Sequence, residues 1–434
     1  ANRQYMLINL VVPLLLALLT ALISHGGWGR DYVFAENRNI ATYFFISVVV
    51  ALFLGLSVSA EEIHRDRKVL ERERFLLLSW PCYVAAKTAY LVLAAALQMT
   101  LFVLVGNAIL RIPDMHVFTW LTLFSCAVCS SILGLNISAS FRSAVAIYIL
   151  IPLILVPQMM LGGAVVPFDE LMHHESGTRA TPLMADLMPS RWGYEALVVE
   201  QYKENRYMRP IFEDFCTDIQ ADYMTDLHIP EVRALADYPL LEEGRANPSE
   251  SARRLRALKN EMALLERRTG VVMDIPAADL DVARYDPTIK AAVKELLKAA
   301  AAYVQAQGRK ASDRVLATND TLRKELGHEG FEAFKDRHYN KDISHLALNA
   351  LTLEAVRLSG ERLVQVAAPA CQPVEKTFGA HFLATAKRLG PWTLPTQLVD
   401  LTVLWLMSVL LFLSLNFSLL PRLMSLVGKL GKRK

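Results

Sequence analysis

The apolar residues of this sequence are concentrated in six long stretches, each close to the roughly 20 residues that a helix needs to cross a bilayer. The first contains no charge and one internal proline, Pro13, which a membrane helix tolerates. The pattern predicts an all-α membrane protein with six transmembrane helices, which places both ends of the chain on the same side. The stretches cover residues 5–24, 42–59, 84–110, 118–141, 144–168 and 393–420.

A polar segment of different character, residues 169–390, separates the fifth and sixth stretches. Residues 249–269 carry leucine and methionine three or four positions apart, which is typical of an amphipathic helix. Asp286 and Pro287 read as the start of a second helix that closes near Gly308. We expect a third helix to contain Leu346, Leu351, Val356 and Leu358. No alternating pattern of useful length indicates strands, so residues 169–390 are predicted to be a helical extracytoplasmic domain.

Charge separates the same two parts. Hydrophobic residues make up 53% of the chain and charged residues 21%. Residues 169–390 hold 30 basic and 34 acidic residues, whereas the flanks, residues 1–168 and 391–434, hold 16 and 9. The apolar flanks exclude a single soluble globule, and the near balance of 46 basic against 43 acidic residues is no signature of nucleic-acid binding.

The short connections between the spans predict the orientation. Twelve Lys and Arg residues fall on the side of both termini and only three, Arg30, Arg38 and Arg111, on the other. The positive-inside rule therefore places the termini in the cytoplasm and the polar domain outside, as in a bacterial inner-membrane protein. The chain begins at Ala1 without an initiator methionine, which leaves open a processed product or a piece of a longer polypeptide. The twelve are Arg3, Arg65, Arg67, Lys68, Arg72, Arg74, Arg142, Arg422, Lys429, Lys432, Arg433 and Lys434.

Two cysteines, Cys216 and Cys371, lie near opposite ends of the polar domain. An oxidising exterior makes them a candidate disulfide, and the alternative is two separate buried thiols. The sequence contains no phosphate-binding loop, metal-ligand spacing or serine nucleophile motif, so we expect no catalytic residue, metal or cofactor on this chain. Asp400, about two turns inside the sixth span, is either a proton or substrate site or a structural charge. In the second case it is the partner of a hydroxyl, an amide or Lys87 on a neighbouring helix, or it lies close enough to the interface to be hydrated.

The loop after the second span is rich in charged residues, and its sequence predicts a helix over about residues 60–80. It resembles the junction after the second span in G-subfamily ABC exporters, the white and pleiotropic-drug-resistance-like permeases. Their pattern is an acidic-basic pair followed by Arg-Glu, and Asp66-Arg67 and Arg72-Glu73 occupy those places here. The resemblance implies a coupling helix that contacts an ATPase domain through Glu62, Asp66, Arg67, Arg72 and Glu73.

A second motif, at residues 188–197, resembles the same family's re-entrant helix, with Pro and Ser transposed. Its residues here are Pro189, Arg191, Trp192 and Glu195. The resemblance covers residues 1–200 and 391–434 and implies a homodimer, with ATP and magnesium bound by ATPase domains that are fused or separate. It also implies a gating plug at Val165 and Val166 and a substrate cavity between the two copies. We expect the cavity residues, which could instead face lipid or the core, to be Phe44, Phe45, Phe53, Met159 and Met160.

Three hypotheses follow for the function. The first is the permease part of an exporter that moves a lipophilic or lipid-linked substrate out of the cytoplasm or the inner leaflet. The second is a force transmitter, which uses ATP hydrolysis to regulate an envelope protein through the external domain without transport. The third, a receptor or scaffold without a motor, is disfavoured by the charged helix at residues 61–74.

Overall fold

The computed structural model describes residues 3–26, 32–73, 79–141, 143–166, 168, 181–272, 275–276, 278–374 and 378–422. These residues are mostly helical. The membrane-type helices are α1 Arg3–Ser24, α2 Ile40–Ser59, α4 Trp80–Ile109, α5 His116–Ser140, α6 Ala144–Met160 and α15 Thr396–Asn416, with the short helix α3 Glu62–Glu73 following α2.

Four helical segments among the described residues are long and apolar enough to cross a membrane, namely Ile40–Arg67, Trp80–Ile109, His116–Ser140 and Thr396–Asn416. Two further apolar helices are shorter, Asn9–Ser24 and Ala144–Met160. The protein is therefore a mostly helical membrane protein, while the count of six spans stays a prediction. The fifth predicted span, residues 144–168, is helical only as far as Met160.

Helix α2 is the centre of the helical bundle, and its buried side chains include Tyr43, Phe44 and Leu52. It packs very closely on α5. A Cβ atom on Gly55 would lie 2.1 Å from Oγ of Ser130, so only glycine fits there. The Ser130 hydroxyl donates a hydrogen bond to the carbonyl of Leu52 across this contact. Small residues at such an interface let two membrane helices approach until their backbones nearly touch.

The remaining helices connect α6 to α15. They are α7 Leu183–Asp186, α8 Pro189–Lys203, α9 Phe212–Tyr223, α10 Ile229–Asp237, α11 Glu242–Ala246, α12 Pro248–Thr269, α13 Pro287–His338 and α14 Lys341–Ala347. We call residues 204–395 the inserted domain. Its separate core is formed mainly by α10, α12 and the first part of α13, with buried Leu258, Leu265 and Leu297.

The predicted helix end near Gly308 is wrong, because α13 continues to His338. Gly308 is buried inside the helix, where a Cβ atom would lie 2.5 Å from that of Ala221 on α9. The glycine thus serves close helix packing. The real break comes at Gly327, whose φ of 74° and ψ of 168° are essentially restricted to glycine.

The expectation of no strands and of a helix through Leu351, Val356 and Leu358 is also wrong. Helix α14 ends at Ala347, and two small antiparallel sheets follow. The first pairs β1 Val356–Ser359 with β2 Arg362–Gln365. The second has the order β3 Phe378–Gly379, β4 Ala386–Leu389, β5 Trp392–Pro395. Strands of two to four residues are too short to show an alternating pattern.

Helix α3 and the inserted domain contact the bundle at its two opposite ends. At one end, α3 meets the end of α5 and the start of α4. At the other end, the inserted domain contacts the connection between α1 and α2 and, through Arg206 and His338, Asp114 between α4 and α5. Helix α3 and the inserted domain therefore lie at opposite ends of the membrane helices.

Candidate functional site

Helix α3 begins where α2 ends and is fixed to α5 at its first turn. The backbone N–H groups of Ile63 and His64 both donate to Oγ of Ser138, at 3.1 and 2.9 Å. This side chain satisfies two of the donors that every helix start leaves open. The guanidinium of Arg67 donates to the carbonyl of Ala139 one turn further along. The first half of α3 is thus attached to the end of α5.

Three charged side chains join α3 to α4. Nζ of Lys87, on α4, lies 2.7 Å from Oε2 of Glu62 and 2.7 Å from Oδ2 of Asp66. The hydroxyl of Tyr83 donates to Asp66 at 3.0 Å. Glu62 is only 2% exposed, and a buried carboxylate is tolerated because Lys87 and Arg65 neutralise it. We call Glu62, Asp66 and Lys87 the coupling-helix lock.

The five predicted coupling residues therefore do not share one role. Glu62 and Asp66 hold α3 in place and Arg67 contacts α5, whereas Arg72 is exposed. The side chain of Glu73 lies outside the described part of the structure, as do residues 74–78 of the predicted 60–80 helix. The surface of α3 that is open to a partner includes Arg65, Val69 and Arg72.

The predicted re-entrant segment forms α8, and Pro189 occupies its first turn. The Ser190 hydroxyl donates to the backbone carbonyl of Gln158 at 2.7 Å, and its N–H donates to the Gln158 side chain at 3.1 Å. The transposed Pro-Ser order thus places a helix-starting proline beside a serine that binds the end of α6. Trp192 Nε1 donates to the carbonyl of Asp186, which holds α7 against α8.

A cluster of buried charges lies where α8, β4 and α15 meet. Nζ of Lys387 is 2.6 Å from Oε2 of Glu195 and 2.5 Å from Oδ1 of Asp400. The guanidinium of Arg191 places Nη2 3.4 Å from Oε2 of Glu195 and Nη1 3.0 Å from Oδ1 of Asp186. Arg191, Glu195, Lys387 and Asp400 are each at most 2% exposed, so their charges must balance within the cluster.

Within this cluster Asp400 is a partnered charge, as one of its interpretations expected. The partner is Lys387, so the suggestion of Lys87 is wrong, because Lys87 is at the opposite end of the bundle with Glu62. Asp400 is also nearer the helix start than predicted, the fifth residue of α15. Lys387 escaped the sequence analysis because nothing distinguishes it from the other lysines of a polar domain.

The predicted cavity residues divide into two groups. Phe44 and Phe45 are buried inside the chain, and Phe45 packs edge-on against Tyr194 of α8. Phe53, Met159 and Met160 are 37–46% exposed on the outside of α2 and α6. A single chain thus does not bring the five together. The exposed side chains of Phe53, Met159 and Met160 offer a surface to a second copy of the chain or to lipid.

The predicted plug residues follow the end of α6, and Val165 is exposed while Val166 is half-buried. The preceding Gly163 lies under a residue of the inserted domain. A Cβ atom on Gly163 would be 2.6 Å from the ring of Phe382, which also packs edge-on against Phe168. The inserted domain therefore contacts the chain just before the predicted plug residues.

A second contact ties the inserted domain to the start of α2. The amide nitrogen of Asn340 donates to the carbonyls of Phe34 and Asn37, at 2.6 and 3.0 Å. Oδ2 of Asp342 accepts a hydrogen bond from the N–H of Ala41, in the first turn of α2, at 3.3 Å. Burial raises the pKa of Asp342 above its usual value, although the hydrogen bond from Ala41 opposes this. We call Asn340 and Asp342 the α2 joint.

The predicted disulfide is formed between Cys216 on α9 and Cys371. It connects the two ends of the inserted domain, as expected from an oxidising exterior. The other cysteines are free thiols, with Cys126 and Cys129 buried in α5 and Cys82 exposed. Within the described ranges, no group of three His, Cys, Asp or Glu residues could hold a metal ion.

Comparison with known proteins adds the following. Residues 1–202 match the family model described as ABC-2 type transporter. A curated relative, an ABC transporter ATP-binding/permease protein of Mycobacterium tuberculosis, is 25% identical over 210 residues. The match covers 45% of this chain and 23% of the relative, so this chain spans about a quarter of that protein's length. No solved structure matches the chain.

Proposed function

We propose that this protein is the membrane part of an ATP-driven exporter, because residues 1–202 match the family model of ABC-2 type transporters and a curated ABC transporter permease is similar over 210 residues. Its substrate is lipophilic or lipid-linked and leaves the cytoplasm or the inner leaflet through a cavity between two copies of the chain. The family implies association with an ABC ATPase, which binds ATP and magnesium on the same polypeptide or another one. We place the protein in a bacterial inner membrane, with the termini cytoplasmic and the inserted domain outside.

The observation that carries this proposal is the coupling-helix lock. Only Ala60 and Glu61 separate α2 from α3, so a movement of α3 would be passed directly to the end of α2. Lys87 connects α3 to α4, and Ser138 connects it to α5. A push on the exposed side of α3 is therefore delivered to three membrane helices at once. The buried Glu62 argues against the alternative that α3 is only a solvated surface helix, because such a helix would not need a buried ion pair to hold it in place.

The exposed side chains on α2 and α6 support the proposed class of substrate. Phe53, Met159 and Met160 offer an aromatic ring and two flexible thioethers, which suit apolar ligands of variable shape. Since these side chains are exposed on a single chain, a facing copy would enclose them in a shared cavity. Phe44 and Phe45 belong to the supporting core of α2 and not to the lining of that cavity.

The transport proposal is tested on the complete transporter, with its ATPase, in lipid nanodiscs. ATP hydrolysis should rise when fractionated lipid extract is added. Filling the cavity with the double variant Phe53→Trp and Met160→Trp should abolish this rise without changing basal hydrolysis. The matched control is Leu93→Trp, an exposed apolar position on α4. An ATPase that ignores every lipid fraction, or a double variant that responds like the control, would refute lipid transport.

A second candidate function, force transmission without transport, is favoured by the α2 joint. The same helix that carries α3 at one end is held by Asp342 and Asn340 of the inserted domain at the other. Movement of α3 would therefore reach the inserted domain directly and could regulate an envelope partner. In that case the cavity-filling variant keeps its biological activity, whereas the double variant Asn340→Ala and Asp342→Ala loses it.

A further inference from the structure

Two pieces of chain on the inserted-domain side are held together on Trp192 of α8. Its indole N–H donates to the carbonyl of Asp186 in α7, at 2.9 Å. Nζ of Lys387, in the hairpin β4–β5, lies 4.6 Å from the centre of the same ring. Arg191 adds an ion pair to Asp186. Helix α7 and the hairpin therefore lie on the same part of α8 and are fixed relative to each other.

Both pieces direct large apolar side chains away from the protein. In α7 and just after it, Leu183, Met184 and Leu187 are each 61–65% exposed. At the end of the hairpin, Trp392 is 70% exposed, and Leu389, its partner in the strand pairing, is 38% exposed. Such neighbouring exposed apolar side chains on a rigid support mark a surface that contacts another apolar phase.

The position of this surface in the fold identifies that phase. Trp392 precedes the first residue of α15, Thr396, by four positions. The exposed apolar residues continue along α15 at Leu398, Leu406 and Leu410, on a helix long and apolar enough to span a membrane. The end of the hairpin is thus next in the chain to the start of a membrane-length helix whose exposed residues are also apolar, and α7 is joined to the hairpin through Trp192.

The chemistry of the residues fits the boundary between headgroups and acyl chains. Tryptophan is enriched at this boundary because its ring is apolar and its N–H is polar. Arg388, between Lys387 and Leu389, is exposed and can extend its guanidinium towards lipid phosphates. The carboxylate of Asp186, within α7, lies in an ion pair with Arg191, which lowers the cost of immersing α7.

We propose that Leu183, Met184, Leu187, Leu389 and Trp392 form an interface anchor, which rests in the lipid leaflet on the side of the inserted domain. The anchor sets the height of α8 and of the buried charge cluster relative to the bilayer. It requires only that α15 spans the membrane, so it stands or falls independently of transport.

The test uses tryptophan fluorescence of the full-length protein in vesicles of phosphatidylcholine, with and without bromine on the acyl chains. The signal of Trp392 is the difference between the unaltered protein and Trp392→Phe. We expect this difference signal to be quenched by brominated lipid and protected from aqueous iodide. Leu187→Trp in the Trp392→Phe background should behave in the same way, which tests α7 separately.

The matched control is Tyr303→Trp, also in the Trp392→Phe background. Tyr303 is an exposed aromatic residue of α13. It lies 24 positions before the break at Gly327, so roughly 36 Å of helix separates it from the last part of α13, which contacts the membrane helices through His338. The added signal should be quenched by iodide and not by brominated lipid. If Trp392 follows this control, the anchor is refuted. Protection of Trp392 from both quenchers would also refute it, because a protein partner would then cover the surface.

Discussion

Replacing Lys387 by methionine tests whether the buried charge cluster fastens the inserted domain to the membrane helices. The methionine keeps most of the length and apolar volume of the lysine and removes its charge. Lys387 is the neighbour of both Glu195 and Asp400, so its loss leaves two buried carboxylates with one buried cation, Arg191. Removing one partner of a buried ion pair costs about 3–5 kcal/mol.

That cost comes from an uncompensated charge, and a second substitution should therefore recover much of it. In the double variant Lys387→Met and Asp400→Asn, the charges of Arg191 and Glu195 balance again. We expect a coupling energy of about 2 kcal/mol between the two substitutions, within the usual range for residues in one network. The measurement is reversible denaturant unfolding in detergent micelles, with a double-mutant cycle over Lys387 and Asp400.

The control variant is Arg388→Met, on the adjacent and exposed position of the same strand. It removes the same charge from the same hairpin and should change the free energy of unfolding by less than about 0.5 kcal/mol. The reasoning fails if Lys387→Met is as mild as this control. It also fails if adding Asp400→Asn makes Lys387→Met worse by the full cost of the single substitution.

Three further predictions concern the other contacts. Glu62→Ala should leave Lys87 with Asp66 as its one acidic partner and loosen α3. The amount of substrate transported per ATP hydrolysed should then fall several-fold while basal hydrolysis persists. An equal ratio of transport to hydrolysis in the variant and the wild type would contradict this. Because burial raises the pKa of Asp342, its carboxylate destabilises the fold at neutral pH, and stability should rise as the pH falls through that pKa. Asp342→Asn, compared by thermal unfolding across pH, should remove this dependence, and an unchanged dependence would refute the assignment. Replacing Cys216 and Cys371 by serine should lower the stability of the inserted domain by about 2–4 kcal/mol, measured by proteolysis with and without reductant; an unaltered proteolysis rate would exclude a stabilising role.

The sequence was most informative where one property decides the structure. Length and hydropathy located the helices around Tyr43, Gln98 and Asn136, because an uninterrupted apolar run has few alternatives in a membrane. The disulfide of Cys216 with Cys371 followed from compartment and from the absence of competing cysteines in the polar segment. The charged residues after α2 also predicted α3 correctly, because a helical pattern of charges depends only on residues that are close in the sequence.

Contacts between distant residues could not be predicted in this way. Lys387 pairs with Glu195, which is 192 positions away, and the hairpin that positions it has strands too short to detect. Asp342 reads as an ordinary first-turn acid of its own helix, although its carboxylate also binds the start of α2. At Gly308 the sequence pattern predicted a helix end that does not exist. A glycine that permits close helix packing cannot be distinguished in the sequence from a glycine that ends a helix.

The central claim is that α3 is the element through which an ABC ATPase acts on this membrane protein. The most direct test places a photo-reactive amino acid at position 72, on the exposed side of α3, in the full-length protein in native membranes. The account predicts a cross-link to an ABC ATPase domain, on the same polypeptide or a separate one, that changes in yield when ATP is bound. The same probe at position 316, an exposed site on α13, should give no such link. Absence of an ATPase cross-link at position 72, or an equal one at position 316, would contradict the account.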